Sequence, residues 1–484
     1  MFGRRRGRLW IALGVTAAVV AGGATVEVRR SGGLLARQPA PSPTAPLAPP
    51  AAGRADPRGT PTPLPPLGRP PVGNAVLPTR AGVARALDVA FADRRLGPRV
   101  SAVVTDAETG QVLYSRNSAL SVQPASTAKV VTALAALHVL GPDRRLETTV
   151  VPDGSIVGGR LTGRLVLVGG GDTTLASPAG AARIRYPEVG QVEELAREVR
   201  ALGITEVTGG VVVDSTLFVG PRTAPGWKPN YLTEGSVAPV TSLMVDGARV
   251  ELGESERYAE PDLAAGRVFR DLLRRQGIRL PDPVGRATAP AGVEPVARVS
   301  SPTVAALVER MLAVSDNNLA ESLAHLVAKE RGEPASFAGG ARAMAAALAD
   351  LGLPGDGSGL VDGSGLSPHD RMTTAALARV LAVALDPGRP ALRALVSGLP
   401  VGGFGGTLEE RYDEGAATTG AGRVRAKTGS LNNVSTLAGV VETASGRQLV
   451  FAFSADRLPT RLANPAAEVL DTAAAALARC GCAA

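Results

Sequence analysis

Three short motifs, far apart in the chain, set the strictest condition on how it can fold. They are Ser126-Thr127-Ala128-Lys129, Ser315-Asp316-Asn317 and Lys427-Thr428-Gly429. A serine hydroxyl is a poor nucleophile until a neighbouring base takes its proton. A lysine amine can be that base only if burial or another cation lowers its pKa. For the three motifs to act together, segments from the first third, the middle and the end of the chain must meet in one cleft. S-x-x-K alone is an ordinary helix N-cap and Ser-x-Asn alone an ordinary capping turn. The ordered triplet, each member in a fitting local context, is specific.

Ser126 and Lys129 open PASTAKVVTALAALHVLG, a stretch that predicts a helix begun by proline and ended by Gly141, with both side chains on one face. The helix N-terminus adds a positive field that favours developing negative charge. Lys427, expected on a facing strand, is the second cation that would depress the Lys129 amine. Arginine cannot replace a lysine base, because it does not release its proton. Lysine is scarce: Lys129, Lys228, Lys329 and Lys427 are the only four among 52 basic residues, and two of them lie in the motifs.

Ser315 and Asn317 fall where the run MLAV stops and NNLAESLAHL begins, a break between helices. There a hydroxyl can relay a proton and an amide can hold a substrate peptide group. In Lys427-Thr428-Gly429-Ser430, small Gly429 would let a substrate backbone lie against an edge strand, while Lys427 and Thr428 bind a terminal carboxylate. The amide N–H groups of Ser126 and Ser430 would form an oxyanion hole. Histidine-based triads fit poorly. His138 and His325 lie within apolar helices, His369 follows a turn, and neither G-x-S-x-G nor H-E-x-x-H occurs. No metal or organic cofactor is required.

The formal charge of +8 suggests nucleic acid until it is located. The first 79 residues carry ten arginines against Glu27 and Asp56 and so hold all of it; the rest of the chain is neutral. A neutral body with no basic stripe argues against nucleic-acid binding. Leu9–Val26 is free of charge, with four arginines before it and two soon after. That reads as a membrane anchor with a cytoplasmic N-terminus, within segment 1–30. A cleaved signal peptide ending near Gly22 and Ala24 is the alternative, and either way the remainder is exported. Segment 31–79, dense in proline and alanine from Ala40 on, predicts an extended spacer. Cys480 and Cys482, the only cysteines, are expected as two thiols on a frayed tail.

From Arg80 the chain predicts a helix with Val83, Leu87, Val89 and Phe91 on its apolar face, then two strands around the turn AETG. Residues 145–170 and 205–219 read as strands, 302–332 and 371–385 as helices. GRVRAKTGS, VSTLAGVVET and RQLVFAFSAD read as three strands before a terminal helix. Helices grouped around a mostly antiparallel sheet indicate an α+β fold. DGSGL occurs at 356–360 and again at 362–366, a duplication of turn chemistry.

The triplet marks β-lactamases and penicillin-binding proteins. Beyond it, the chain resembles the low-molecular-mass class C penicillin-binding proteins, the D-alanyl-D-alanine carboxypeptidase/endopeptidase family. The resemblance runs from about Val100 to Leu458. It includes LVGGGD, VVVDSTLF, SDNNLAE, LVDGSGLSPHDRMTT, GGTLEER and AKTGSLNNVSTLAGVV. It implies a β-lactamase/transpeptidase-like domain made of 80–140 and 298–484, with a β-rich insert at 141–297. The 189 residues from Ser126 to Ser315 leave room for that insert. It also implies a serine peptidase acting on peptidoglycan stem peptides: Ser126 as nucleophile, Lys129 as base, Ser315 as relay, and penicillin acylating the same serine. Members often carry an acidic residue just beyond the strand VVVDSTLF for a diaminopimelate side chain. Here VGPRTAPGW follows, with Arg222 and no carboxylate before Glu234, which leaves Asp214 as a substitute. A β-lactamase would not need so large an insert, and a non-catalytic envelope scaffold would be expected to show a damaged motif.

Overall fold

The computed structural model describes residues 77–183, 188–353, 355, 357–459 and 463–482. The leader and most of the spacer lie outside them. Among the described residues no helix is long and apolar enough to cross a membrane.

In chain order, α1 (Arg80–Phe91), β1 (Arg99–Asp106), β2 (Val112–Arg116) and α2 (Lys129–Val139) come first. The middle of the chain adds β3 (Arg145–Val157), β4 (Arg160–Val168), α3 (Pro178–Arg183), α4 (Val192–Ala201), β5 (Glu206–Val207) and β6 (Val211–Asp214). It continues with α5 (Asn230–Thr233), α6 (Pro261–Arg275), β7 (Gly285–Arg286) and β8 (Ala297–Thr303). Next are α7 (Val304–Ala313), α8 (Asn317–Glu330), α9 (Phe337–Asp350), α10 (Thr374–Leu385) and α11 (Arg393–Ser397). Strands β9 (Val424–Leu431), β10 (Val434–Glu442) and β11 (Gln448–Asp456), then α12 (Ala463–Arg479), close the chain.

The first sheet is antiparallel, in the order β2-β1-β11-β10-β9, so the early hairpin is completed by the last three strands. Its central strands alternate cleanly. Leu449, Phe451, Phe453 and Ala455 of β11 join α1 and α12 in one core, while Val450 and Ala452 face the other way into the core of α2, α7, α8 and α10. Both faces are therefore covered, and β10 reads as a nearly continuous apolar run. Strand β9 is left at the edge; its first residues bridge to Val401, with Ala426 N donating to Pro400 O and Gly402 N to Val424 O (both 2.9 Å), and among the described residues no sixth strand pairs with Lys427–Leu431.

The second sheet, β7-β6-β4-β3-β8 with β5 beside β4, comes from residues 145–303. It is mixed: β3 pairs antiparallel with β4 and β8, while β4, β5, β6 and β7 pair in parallel. The parallel pairs need crossovers, and α4 and α6 supply helical cover. This segment holds the strands expected of it and adds helices to them. Strand β8 also crosses the boundary expected at 297/298, because its register with β3 holds it in this sheet as far as Thr303.

Three local expectations need correction. Val89 is 82% exposed; it sits two residues from Leu87, which on a helix is another side, and Gly82, Val83, Leu87 and Phe91 form the buried face. Ala125–Ala128 is a 3₁₀ turn ahead of α2 rather than part of one α-helix. The C-terminal tail is docked: Thr79 N–H donates to Cys482 O (2.9 Å), and Cys480 is buried.

Helix α8 ties the two sheets together. Asn318 through Ala328 are all buried, so its polar side chains need partners inside the protein. Ser322 Oγ donates to Gly171 O in the LVGGGD turn after β4. Asn318 Oδ1 accepts from Ala238 N (2.9 Å) and its Nδ2 donates to Ala238 O (3.0 Å). Asn318→Ala strands that buried N–H and C=O, each at a cost of about 1–3 kcal/mol. Thermal unfolding should show a marked loss of stability, with proteolytic nicking concentrated in residues 224–240.

Candidate active site

Ser126 stands on a constrained turn. Ala125, fully buried, has φ of 48°, a left-handed conformation that alanine adopts only under compulsion. Compulsion is visible on three sides. Thr127 Oγ1 and Thr436 Oγ1 both donate to Pro124 O, at 2.6 and 2.9 Å. From the loop after α9, Gly365 (φ 82°) comes so near that a Cβ there would lie 1.9 Å from Ala125 O. The 3₁₀ turn then eclipses residues three apart. That places Lys129 Nζ 3.0 Å from Ser126 Oγ.

The Lys129 amine is wholly buried. Its other partners are Asn317 Oδ1 and Ser364 O, both at 2.6 Å. Burial drives its pKa down to about 8, against the pull of Asp362, Glu321, Asp316 and Asp370. Desolvation, not the expected second cation, is therefore the chief cause. Lys427 is also fully buried and sits well below the ordinary amine range, through burial first and repulsion from Lys129 second.

The second motif is the α7–α8 corner. Ser315 (φ 57°) makes the turn, Asp316 caps α8 by accepting from Leu319 N (3.0 Å), and Asn317 is its first residue. Both ends of the Asn317 amide are engaged, Oδ1 by Lys129 and Nδ2 by Ser236 O (2.8 Å). In this structure it holds the lysine amine and the Ser236 carbonyl. On β9, Lys427 Nζ donates to Thr428 O (2.9 Å), and the Thr428 and Thr407 hydroxyls share a hydrogen bond (2.9 Å). A Cβ on Gly429 would lie 2.2 Å from Thr436 Oγ1, 2.8 Å from Pro124 O and 3.0 Å from Ser126 N. Glycine is thus needed for the edge strand to reach the nucleophile's own backbone, and Ser430 follows it, exposed.

The fold has brought all three motifs to one cleft around a buried Ser–Lys pair. A family model, the D-Ala-D-Ala carboxypeptidase 3 (S13) family, matches residues 83–256 and 251–477. The chain belongs to this family. Over 477 residues it is 39% identical to carboxypeptidase DacB of Mycolicibacterium smegmatis, covering 97% of this chain and 96% of that one. Among solved structures it is similar to penicillin binding protein 4 (dacB) from Haemophilus influenzae. The TM-score is 0.65 at 23% identity, over 79% of this chain and 94% of that one. The same Haemophilus protein in complex with a β-lactam matches with a TM-score of 0.58.

Within this family site, several residues escaped sequence reasoning. Thr436 and Gly365 shape the serine turn, and the Ser364 carbonyl grips the amine. The signal for Ser364 and Gly365 was the second DGSGL: Asp362 Oδ1 accepts from Gly365 N (2.6 Å), while its Oδ2 accepts from Ser367 N (2.7 Å) and Trp227 Nε1 (2.8 Å). The first copy begins outside the described residues. Asp214 is no substrate carboxylate, since Thr216 N, Thr216 Oγ1 and Ala289 N already occupy its oxygens. Arg222 pairs with buried Asp262, which also holds Arg286. His325 lies against Phe218 and Phe337, its pKa driven down to about 4 by burial, while His138 and His369 are exposed.

Gly429→Ala tests the close approach of β9. The protein should stay folded, because the strand can move outward at the sheet edge. Labelling by a fluorescent penicillin should slow by at least about tenfold, as expected when reacting groups are displaced by a fraction of an ångström.

Proposed function

We propose that the chain is a serine D-alanyl-D-alanine carboxypeptidase of peptidoglycan stem peptides, working through an acyl-Ser126 intermediate, and that penicillin acylates the same serine. One observation carries this reading: a fully buried Lys129 amine, with a pKa near 8, lies 3.0 Å from Ser126 Oγ. Family membership and the β-lactam complex of the Haemophilus protein support it.

In the proposed reaction, Ser126 Oγ bonds to the carbonyl carbon of the penultimate D-Ala as its proton passes to Lys129 Nζ. The resulting oxyanion is held by the N–H groups of Ser126 and Ser430. Collapse breaks the C–N bond, and the departing D-Ala nitrogen takes the proton by way of Ser315. Water then hydrolyses the acyl ester and restores Ser126. Lys427 and Thr428 receive the terminal carboxylate. Among the described residues Lys427 is paired with no carboxylate. An incoming one supplies the missing charge and favours the ammonium form.

The same proposal places the enzyme outside the cytoplasm, tethered by residues 9–26 with 31–79 as a spacer. A reporter fused after residue 80 should be active only outside the cytoplasm and stay with the membrane. Its release as a shortened soluble protein would replace the anchor with a signal peptide.

Purified full-length protein should remove one D-Ala from a stem pentapeptide, read by mass spectrometry, and take a single fluorescent penicillin. Ser126→Ala should abolish both; labelling that persists in it would assign the nucleophile elsewhere. Lys129→Arg keeps the charge but loses the base, so acylation should fall by about 10²- to 10⁴-fold. Only the free amine accepts the serine proton, so the wild-type acylation rate should rise with pH through about 8, the pKa of Lys129.

A further inference from the structure

A neutral amine has two N–H bonds and one lone pair. Around Lys129 Nζ stand three oxygens, and two of them, Asn317 Oδ1 and Ser364 O, can only accept. When the amine is neutral its N–H bonds go to those two. The lone pair is then left facing Ser126 Oγ, the one neighbour that carries a proton to give. The aim of the base therefore depends on how firmly Ser364 O is held.

That carbonyl belongs to a loop pressed on α8. A Cβ on Gly363 would lie 2.8 Å from both Ala320 O and Ala324 Cβ. Gly363 O accepts from Thr132 Oγ1 (2.6 Å), one turn beyond Lys129 on α2. Gly363 N and Ser364 N both donate to one carboxylate, Glu321 Oε2 at 2.9 Å and Oε1 at 2.8 Å. Glu321 is fully buried and stands four residues after Asn317, on the same face of α8. One helix face thus sets both acceptors of the amine, Asn317 directly and Ser364 through Glu321.

We propose that Glu321 is a positioning residue of the acylation step: it clamps the Gly363–Ser364 segment so that Ser364 O and Asn317 Oδ1 take the two N–H bonds of Lys129 and leave its lone pair on Ser126 Oγ. The proposal rests on the reading of Lys129 as the base. The proton moves from Ser126 Oγ to Lys129 Nζ; Glu321 takes no proton and touches no substrate. The charged groups facing the amine are Glu321 on α8, Asp316 at its N-cap, Asp362 and Asp370 on the loop, and Lys427 on β9. An ionised Glu321 raises the Lys129 pKa, while burial first and Asp362 second push the Glu321 carboxyl itself up to about 8, so the two groups titrate as a pair.

Glu321→Gln is nearly isosteric, but its amide nitrogen must face one of the two N–H donors. In full-length E321Q, β-lactam acylation should slow by at least about tenfold, the effect of a misaimed base. The acidic limb of its pH–rate profile should also move, because one of two groups that titrate together near pH 8 is removed. An unchanged rate in folded E321Q, or a slower rate with the limb unmoved, would overturn the clamp; the latter is what loss of packing alone produces. Should E321Q lose its thermal unfolding transition, E321D decides. It keeps the charge and shortens the reach, so its limb should stay at the wild-type position while the rate falls. A wild-type rate in E321D would overturn the proposal. Wild-type protein that takes no label at Ser126 would sink the acyl-serine reading and the clamp with it, whereas labelled wild type beside unchanged E321Q removes the clamp alone.

Discussion

A lysine amine kept entirely out of water is the condition on which the rest of this site depends. Burial penalises the charged amine and thereby makes it a base near neutral pH. Burial alone would also be costly, since a polar group without partners loses its hydration for nothing. The fold answers with two carbonyl oxygens and a serine hydroxyl at hydrogen-bond distance, and with carboxylates farther off. Three of those carboxylates, Glu321, Asp362 and Asp370, are themselves buried and accept from backbone N–H groups of the loop at 361–370. Left-handed backbone at Ala125 and Ser315 belongs to the same arrangement, since the two residues make the turns that carry Ser126 and Asn317 to the amine.

The segment between the first two motifs is more than an appendage. Its stretch 224–238 lies along the cleft, where Tyr231, Val237 and Leu366 pack with Trp227 and with Leu431 at the end of β9. Asn317 and Asn318 fasten it to α8 through Ser236 O and Ala238. Asn317 therefore serves two structures at once, the catalytic amine and the cleft wall. A disturbance of either is transmitted to the other through a single side-chain amide. Trp227 adds a second link, since its indole N–H ends on Asp362, the residue that shapes the loop beside Lys129.

The order of the motifs, the helix break at Ser315 and the three closing strands were legible in the sequence, because each depends on local pattern: apolar periodicity, turn residues and short motif spacing. Sequence also grouped Ser126, the two motif lysines and the edge strand as one set, and the fold brings them together. It did not show that Val89 faces solvent, since two apolar residues two positions apart on a helix look equivalent until the core is located. Nor did it show that Asp214 is held within its own turn, or that Gly429 lies directly against Thr436 and Ser126. Those facts are contacts between segments distant in the chain.

What the sequence determined by itself was therefore the chemistry available: one serine, two lysines with nothing but arginine as their alternative, and an ordered triplet that identifies the family. What only the tertiary structure decided was how that chemistry is tuned. The Lys129 pKa comes from burial rather than from a paired cation, and its orientation comes from Ser364, 235 residues away. Desolvation and hydrogen-bond direction are properties of what surrounds a group in space, and chain order does not encode them locally.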